Sequence, residues 1–142
     1  MTNKDICIFK HEFFFLSNFY PCAVTIDGIT YSSSEAAFQA QKTLDDEIKH
    51  QFIGITAKQA KYLGKRVPLR DDWEEVKLDV MYNVVKCKFI QNSYLQDMLL
   101  RTGERNLIEM NSWNDKFWGV NKSKEGENHL GKILMKIREE LK

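Results

Sequence analysis

The chain has 142 residues, enough for one compact domain with a substantial core and short for two. Charged residues make up 29% and hydrophobic residues 43%, an ordinary globular composition. Lys and Arg total 21 against 20 Asp and Glu, and the net charge of +1 excludes a domain that grips nucleic acid by bulk positive charge, leaving room only for a local basic pocket.

In chain order, the opening residues carry charges on both sides of short apolar stretches, without the continuous apolar core or small-residue cleavage site of a leader. Ile6–Phe9 reads as a short strand. The aromatic run from Phe13 to Tyr20 is too rich for an idle loop, and Pro21 disfavours helix just before it. Ala23–Ile26 and Ile29–Tyr31 flank Asp27-Gly28, the two-residue turn of a β-hairpin. Ser32, Ser33 and Ser34 offer N-caps for a helix over Glu35–Lys42, with an acid in its first turn. Further helices are expected over Asp45–Phe52 and Thr56–Leu63, the latter closed by Gly64 as a C-cap. Asp71 and Asp72 can cap a long helix over Trp73–Ile90, whose Val76, Val80, Val84 and Val85 follow a 3.6-residue period. A short helix over Tyr94–Leu100 stops at Thr102-Gly103. Leu107–Met110 reads as a strand, 111–127 as loop, and Asn128–Leu141 as an amphipathic helix with Leu130, Ile133, Leu134 and Ile137 on one face. There is no linker-like composition, no repeat and no apolar run approaching the ~20 residues of a membrane span, so one domain with no membrane partner is expected.

Four groups could carry chemistry. Glu35, Gln39 and Lys42 stand at i, i+4 and i+7, which puts a carboxylate, an amide and an amine on one helix face. From spacing alone, a solvated face with a capping glutamate is the more ordinary outcome. Asn111–Val120 holds Trp113, Asp115, Trp118 and Gly119, either a loop pinned by two indoles or a stacking platform beside an acid. Leu16–Pro21 offers Asn18 and Tyr20 for hydrogen bonds and Phe19 for stacking, unless it is simply a packed turn. Lys65, Arg66, Arg70, Lys86 and Lys88 form a basic set; arginine forks suit phosphate oxygens, though solvated surface is the more ordinary outcome for any single one of them. Phosphate-loop, dinucleotide, metalloprotease and nucleophile-elbow signatures are absent. His11, His50 and His129 are scattered, so neither a metal nor a cofactor is expected. Cys7, Cys22 and Cys87 are odd in number and lack CxxC spacing. They fit reduced thiols of a cytoplasmic protein, each filling core space as a small hydrophobe.

These residues together resemble a known family. Leu16–Pro21, then Asp27-Gly-Ile-Thr-Tyr31, then Ser34-Glu-x-x-x-Gln39-x-x-Lys42 resemble the N-terminal half of the NADAR, or YbiA-like, family. Arg70-x-x-Trp73, Met81, Lys88-Phe89, Leu99-Leu100-x-Thr102-Gly103, Glu109, Asp115-x-x-Trp118-Gly119 and the closing Gly126-x-Asn128-x-Leu130-Gly131 follow in the family's order. Ala36 departs from the larger or polar residue many relatives carry there, which bears on substrate choice. The resemblance implies a single α+β domain, predominantly helical with a small β component. It also implies an N-glycosidase that cleaves the bond between a ribose and a base or amine. Its partner would be a small phosphorylated ribosyl compound, such as a phosphoribosylamino-pyrimidine intermediate of riboflavin synthesis, or an ADP-ribosylated nucleobase. No oligomeric state follows.

Cleavage of an N-glycoside develops positive charge at the ribose C1 and negative charge on the departing nitrogen. General acid–base help to such a step is worth roughly 10²–10⁴-fold per group. By analogy with sugar hydrolases, two carboxylates about 6.5–9.5 Å apart would leave room for an attacking water. Glu35 is expected to stabilise charge or activate water, and Asp115 to bind ribose hydroxyls or share the proton work, with Glu109 in reserve. Lys42 would keep Glu35 ionised, bind phosphate, or attack an opened ribose aldehyde to form a Schiff base. Phe19, Trp73 and Trp118 would clamp the base, Arg66 and Arg70 the phosphate, and Asn18 a ribose or base edge, with Gly119 beside Trp118. The rivals are a non-catalytic module that binds ADP-ribose or a related nucleotide, and a scaffold that binds other proteins.

Overall fold

The computed structural model describes residues 5–142, so the reading of the N-terminus falls partly on residues 1–4, outside the described residues. The chain is α+β, with six α-helices, one 3₁₀ turn and four short strands among the described residues. It groups into two compact units: Asn18–Ser93, and the described residues up to Ser17 together with Tyr94–Lys142.

The first unit begins with the expected hairpin, strands β2 (Pro21–Ile26) and β3 (Ile29–Ser33). Asp27 at φ 49° and Gly28 at φ 82° give the turn its two left-handed residues, the geometry that matches strand twist. Val24 pairs with Tyr31 and Ile26 with Ile29, so Val24, Ile26 and Tyr31 are all buried. Helix α1 (Ser34–Ala40) follows directly, its end capped by the Ser33 hydroxyl, which accepts from the Ala36 N–H. Every residue of α1 is buried. That explains the run of alanines: a helix enclosed on all sides needs small side chains for its neighbours to approach. α2 (Asp46–His50) is shorter than expected and capped by Asp45. α3 (Ala57–Gly64) opens on a reciprocal Thr56–Gln59 capping box. Gly64 is not the expected left-handed C-cap. It is the last helical residue, and its missing side chain lets α3 lie against α1.

α4 (Trp73–Gln91) buries Trp73, Met81, Val84, Val85, Lys88 and Phe89, while Val76 and Val80 are only half-buried. The 3.6-residue period is as expected, but its buried stripe is centred further along the helix. Asp72 occupies the N-cap without capping, because its carboxylate is taken by Arg70. At the other end, the Gln91 amide accepts from Thr25 N–H at 2.8 Å and donates to Thr25 C=O at 2.9 Å. A side chain thus stands in for one more strand residue along β2, blunting an exposed edge.

In the second unit, β1 (Asp5–Ile6) runs parallel to β4 (Asn106–Leu107), a pairing shorter than the expected strands Ile6–Phe9 and Leu107–Met110. His11–Leu16, at the start of the aromatic run, forms a 3₁₀ turn that buries Phe15 and Leu16. Pro21 lies far enough downstream to leave it intact. α5 (Ser93–Arg101) precedes β4, and α6 (His129–Glu140) closes the chain with Leu130, Leu134 and Ile137 inward. The buried Arg138 donates to Thr102 Oγ1 and to Arg105 C=O, both at 2.9 Å, and so ties α6 to the end of α5. The three cysteines are free, and each is half-buried rather than enclosed in a core. Among the described residues no helix is long and apolar enough to cross a membrane.

Candidate active site

The acid of the first unit is built from the backbone outward. Glu35 is the second residue of α1, and its N–H donates to Asn18 C=O at 3.0 Å, which fixes the helix start on the aromatic turn before β2. Ser34 Oγ donates to Asn18 Oδ1 at 2.9 Å, and Asn18 Nδ2 rests on Met81 Sδ at 3.4 Å. Asn18, Ser34 and Glu35 are therefore locked together, all buried, with Glu35 only 8% exposed. One helical turn on, Gln39 Nε2 donates to Glu35 Oε2 at 2.7 Å. The ordinary solvated face is thus excluded: the carboxylate and the amide are both interior groups.

α1 ends at Ala40, so Lys42 stands on the turn beyond it rather than on the helix face expected at i+7. The Lys42 N–H still donates to Gln39 C=O at 3.2 Å, which keeps the residue close to the last helical turn. Its side chain is half-buried. Burial pulls the amine pKa below that of an ordinary lysine. The Glu35 carboxylate opposes this by raising it, and the Lys65 ammonium lowers it further. Lys42 and Glu35 therefore act on each other electrostatically, though not from the shared helix face that the spacing predicted.

The other expected contacts of this unit divide. Arg70 is committed: Nε donates to Asp72 Oδ1 at 2.6 Å and Nη2 to Oδ2 at 3.1 Å. Its N–H donates to Lys42 C=O at 2.8 Å. Instead of reaching for phosphate, Arg70 holds the segment that carries Lys42. Arg66 is exposed, with its guanidinium 4.5 Å above the Tyr62 ring and bonded to the Tyr62 hydroxyl. Phe19 is half-buried, with Lys61 Nζ 5.9 Å from its ring centre. Trp73 corrects the clamp expectation. It is 6% exposed and lies 5.2 Å from the Phe38 ring, a core side chain with little open face for a base.

In the second unit, Asp115 accepts the Phe117 and Trp118 N–H groups on Oδ1, each at 3.0 Å. Asn111 completes the turn, accepting the Asp115 N–H and donating to its C=O, both at 2.9 Å. The same Asn111 amide reaches Glu109 Oε1 at 3.0 Å. Asn128, left-handed at φ 52°, leaves α6 uncapped and spends its amide on Glu109 N–H and Leu107 C=O. A Cβ on Gly119 would lie 2.0 Å from Glu109 C=O, so that position needs a glycine. Asp115, Glu109 and Gly119 are thus accounted for by loop closure, where acid chemistry and substrate contact were expected. Trp118 is half-buried, edge-on to Phe117 at 4.7 Å, with Phe117 4.5 Å from His129. Trp113 is 59% exposed.

Two groups went unassigned from sequence. Gln39 was named on the helix face without a role. Lys88 was read as surface, yet it is fully enclosed, with its amine 5.7 Å from the Tyr20 ring centre and 5.2 Å from that of Phe89. Burial pushes its pKa down to about 8, against a smaller opposing pull from the Cys22 thiolate. The signal was present: Lys88 is i+7 from Met81 and i+4 from Val84, on the buried stripe of α4. Among the described residues, no group of three or more His, Cys, Asp or Glu side chains could hold a metal ion.

Residues 8–142 match the NADAR domain. The chain is 38% identical over 128 residues to N-glycosidase YbiA of Escherichia coli strain K12, covering 88% of this chain and 79% of that one. It is 37% identical over 132 residues to an N-glycosidase of Nostoc punctiforme, covering 89% and 84%. It is 42% identical over 130 residues to a riboflavin biosynthesis protein of Vibrio vulnificus, of whose length it spans only 35%. The NMR structure of E. coli YbiA superposes with a TM-score of 0.87 at 34% identity, over 99% of this chain and 86% of that one. Motif order, fold and sequence agree, and the chain belongs to the NADAR domain family.

Proposed function

We propose that the protein is an N-glycosidase that hydrolyses the C–N bond between a ribose and a base or amine. Its proposed substrate is a phosphoribosylamino-pyrimidine intermediate of riboflavin synthesis or an ADP-ribosylated nucleobase, met in the cytoplasm. The observation that carries the reading is the buried Glu35 carboxylate of the first unit, held by the Gln39 amide and within electrostatic reach of the half-buried Lys42 amine. The relatives called N-glycosidases support it at 37–38% identity over most of the chain.

Glu35 is assigned to the sugar. As the glycosidic bond lengthens, positive charge gathers at C1 and the ring oxygen. A fixed carboxylate in a poorly hydrated setting stabilises that charge without reorganising. The Gln39 amide keeps one carboxylate oxygen in place while it does so. Among the described residues Asn18 Nδ2 donates to the Met81 thioether, a weak acceptor, and so retains donor capacity for a ribose hydroxyl or base edge. Exposed Arg66 remains the candidate for phosphate oxygens, with Phe19 the stacking surface of this unit.

Of the roles open to Lys42, its lowered pKa favours the covalent one, because a larger share of the amine is neutral near pH 7 than for a solvated lysine. The amine lone pair attacks C1, and the C1–N bonding pair leaves with the base nitrogen, which takes a proton. The attached nitrogen gives up a proton and its lone pair opens the ring, the C1–O bonding pair leaving with the ring oxygen, which takes a proton, so that an iminium joins Lys42 to the sugar. Water adds to its carbon, and the free aldehyde sugar and the amine are regenerated. The test is a mass-spectrometric screen for base or amine release from a ribosylamino-pyrimidine 5′-phosphate and from an ADP-ribosylated nucleobase. Release from either supports the reading and names the substrate. Binding without release from both would turn it into the non-catalytic module.

A further inference from the structure

Gln39 is 6% exposed, and its two amide atoms are used unequally. Nε2 donates to Glu35 Oε2 at 2.7 Å, whereas Oε1 is buried without a hydrogen-bond partner among the described residues. An orphaned buried carbonyl is costly and asks for an explanation. Turning the amide over would not remove the cost, since it would set a carbonyl oxygen against the Glu35 carboxylate. The geometry around Oε1 shows what holds it. It lies against Gly64, the last residue of α3, and a Cβ built there would stand 1.9 Å from Oε1 and 2.7 Å from the amide carbon. Gly64 has no positive φ, so backbone conformation does not require the glycine. The space it leaves does.

We propose that Gln39, seated in the space left by Gly64, is the positioning residue that fixes the Glu35 carboxylate for catalysis. The device uses a neutral donor. A lysine or arginine in the same place would add a charge beside Glu35 and weaken its hold on a cationic transition state, whereas an amide orients the oxygen and leaves the negative charge available. α3 supplies the wall: with Gly64 the amide fits between the helices and its N–H₂ end faces Glu35. The inference rests on the glycosidase reading for its catalytic consequence, but the contact itself can be tested without turnover.

Two measurements separate these. In protein labelled with ¹³Cδ-glutamate, the Glu35 carboxyl resonance is assigned by its loss in Glu35→Gln. It should shift in Gln39→Ala and shift again in Gly64→Ala, whose methyl group displaces the yielding tip of Gln39. In the double variant the shift should match Gln39→Ala alone, because nothing is left for the methyl group to displace. In the release assay, Gln39→Ala should lose about 10²-fold in kcat, the scale of a misplaced catalytic group, with KM within about threefold. Gly64→Ala should lose in the same direction, and the double variant no more than the worse single. Gln39→Glu, which folds around the same shape, covers the case in which Gly64→Ala fails to fold, and it should also lose kcat. An unmoved Glu35 resonance in Gln39→Ala, additive losses in the double variant, or a raised KM at unchanged kcat would each overturn the proposal. Absence of turnover in the wild type would end the glycosidase reading, while the resonance still decides whether Gln39 and Gly64 set the carboxylate.

Discussion

Lys88 gives the sharpest test of how the first unit is held together. Its amine is fully buried, and its pKa falls from 10.5 to about 8. Each pKa unit corresponds to about 1.4 kcal/mol, so the protonated form carries a folding penalty of about 3 kcal/mol. The sign follows from proton counting. Below pH 8 both folded and unfolded chains are protonated and the penalty is present in full. Between pH 8 and 10.5 the folded chain has lost the proton that the unfolded chain still binds, so stability rises with pH. Cys22 works the other way, since burial raises its thiol pKa and Lys88 opposes that rise. The comparison is therefore made in a Cys22→Ala background, with and without Lys88→Met, by urea denaturation from pH 7 to pH 11. The lysine chain should gain about 3 kcal/mol relative to the methionine chain over that range. Parallel curves would refute the reasoning, because they would mean the amine keeps an ordinary pKa and is reached by water.

Other outcomes follow from the same geometry. Lys42→Met should abolish base release and the lysine–sugar adduct that borohydride traps from wild type; release at the wild-type rate would remove Lys42 from the chemistry. Asp115→Asn keeps an acceptor for the Phe117 and Trp118 N–H groups and should retain turnover within a few-fold, whereas Asp115→Ala should cost about 1–2 kcal/mol, as loss of a cap does; a collapse of turnover in Asp115→Asn at unchanged stability would restore Asp115 as a catalytic acid. Gly119→Ala drives a Cβ into the Glu109 carbonyl and should destabilise by about 1–3 kcal/mol, read from the denaturation midpoint; an unchanged midpoint would show that the loop can yield.

Local rules made much of the fold legible. Asp27-Gly28 announced the hairpin turn, Ser33 and Thr56 the helix starts, and the aliphatic spacing the inward face of α6. Failures came where tertiary contacts override local signals. Asp72 reads as a cap, but Arg70 is near enough to claim its carboxylate. Asn128 reads as the start of α6 and instead ties Glu109 and Leu107 to it. Gly64 reads as a helix stop, though its purpose is visible only once Gln39 lies against it. At the site, the carboxylate–amide–amine spacing was readable and its burial was not, because burial depends on which helices cover α1. Trp73 and Lys88 erred in opposite directions for a related reason. An indole was credited with an open face and a lysine with solvent, while the buried stripe of α4 takes in both.

The central claim is that the Glu35 carboxylate acts on the breaking glycosidic bond rather than on binding. Glu35→Gln keeps the shape and removes the charge, and single-turnover release from the substrate found in the screen, measured beside its dissociation constant, tests the claim directly. The account predicts a rate at least about 10²-fold lower with affinity within a few-fold of wild type. Release at the wild-type rate, or a loss wholly explained by weaker binding, would contradict it.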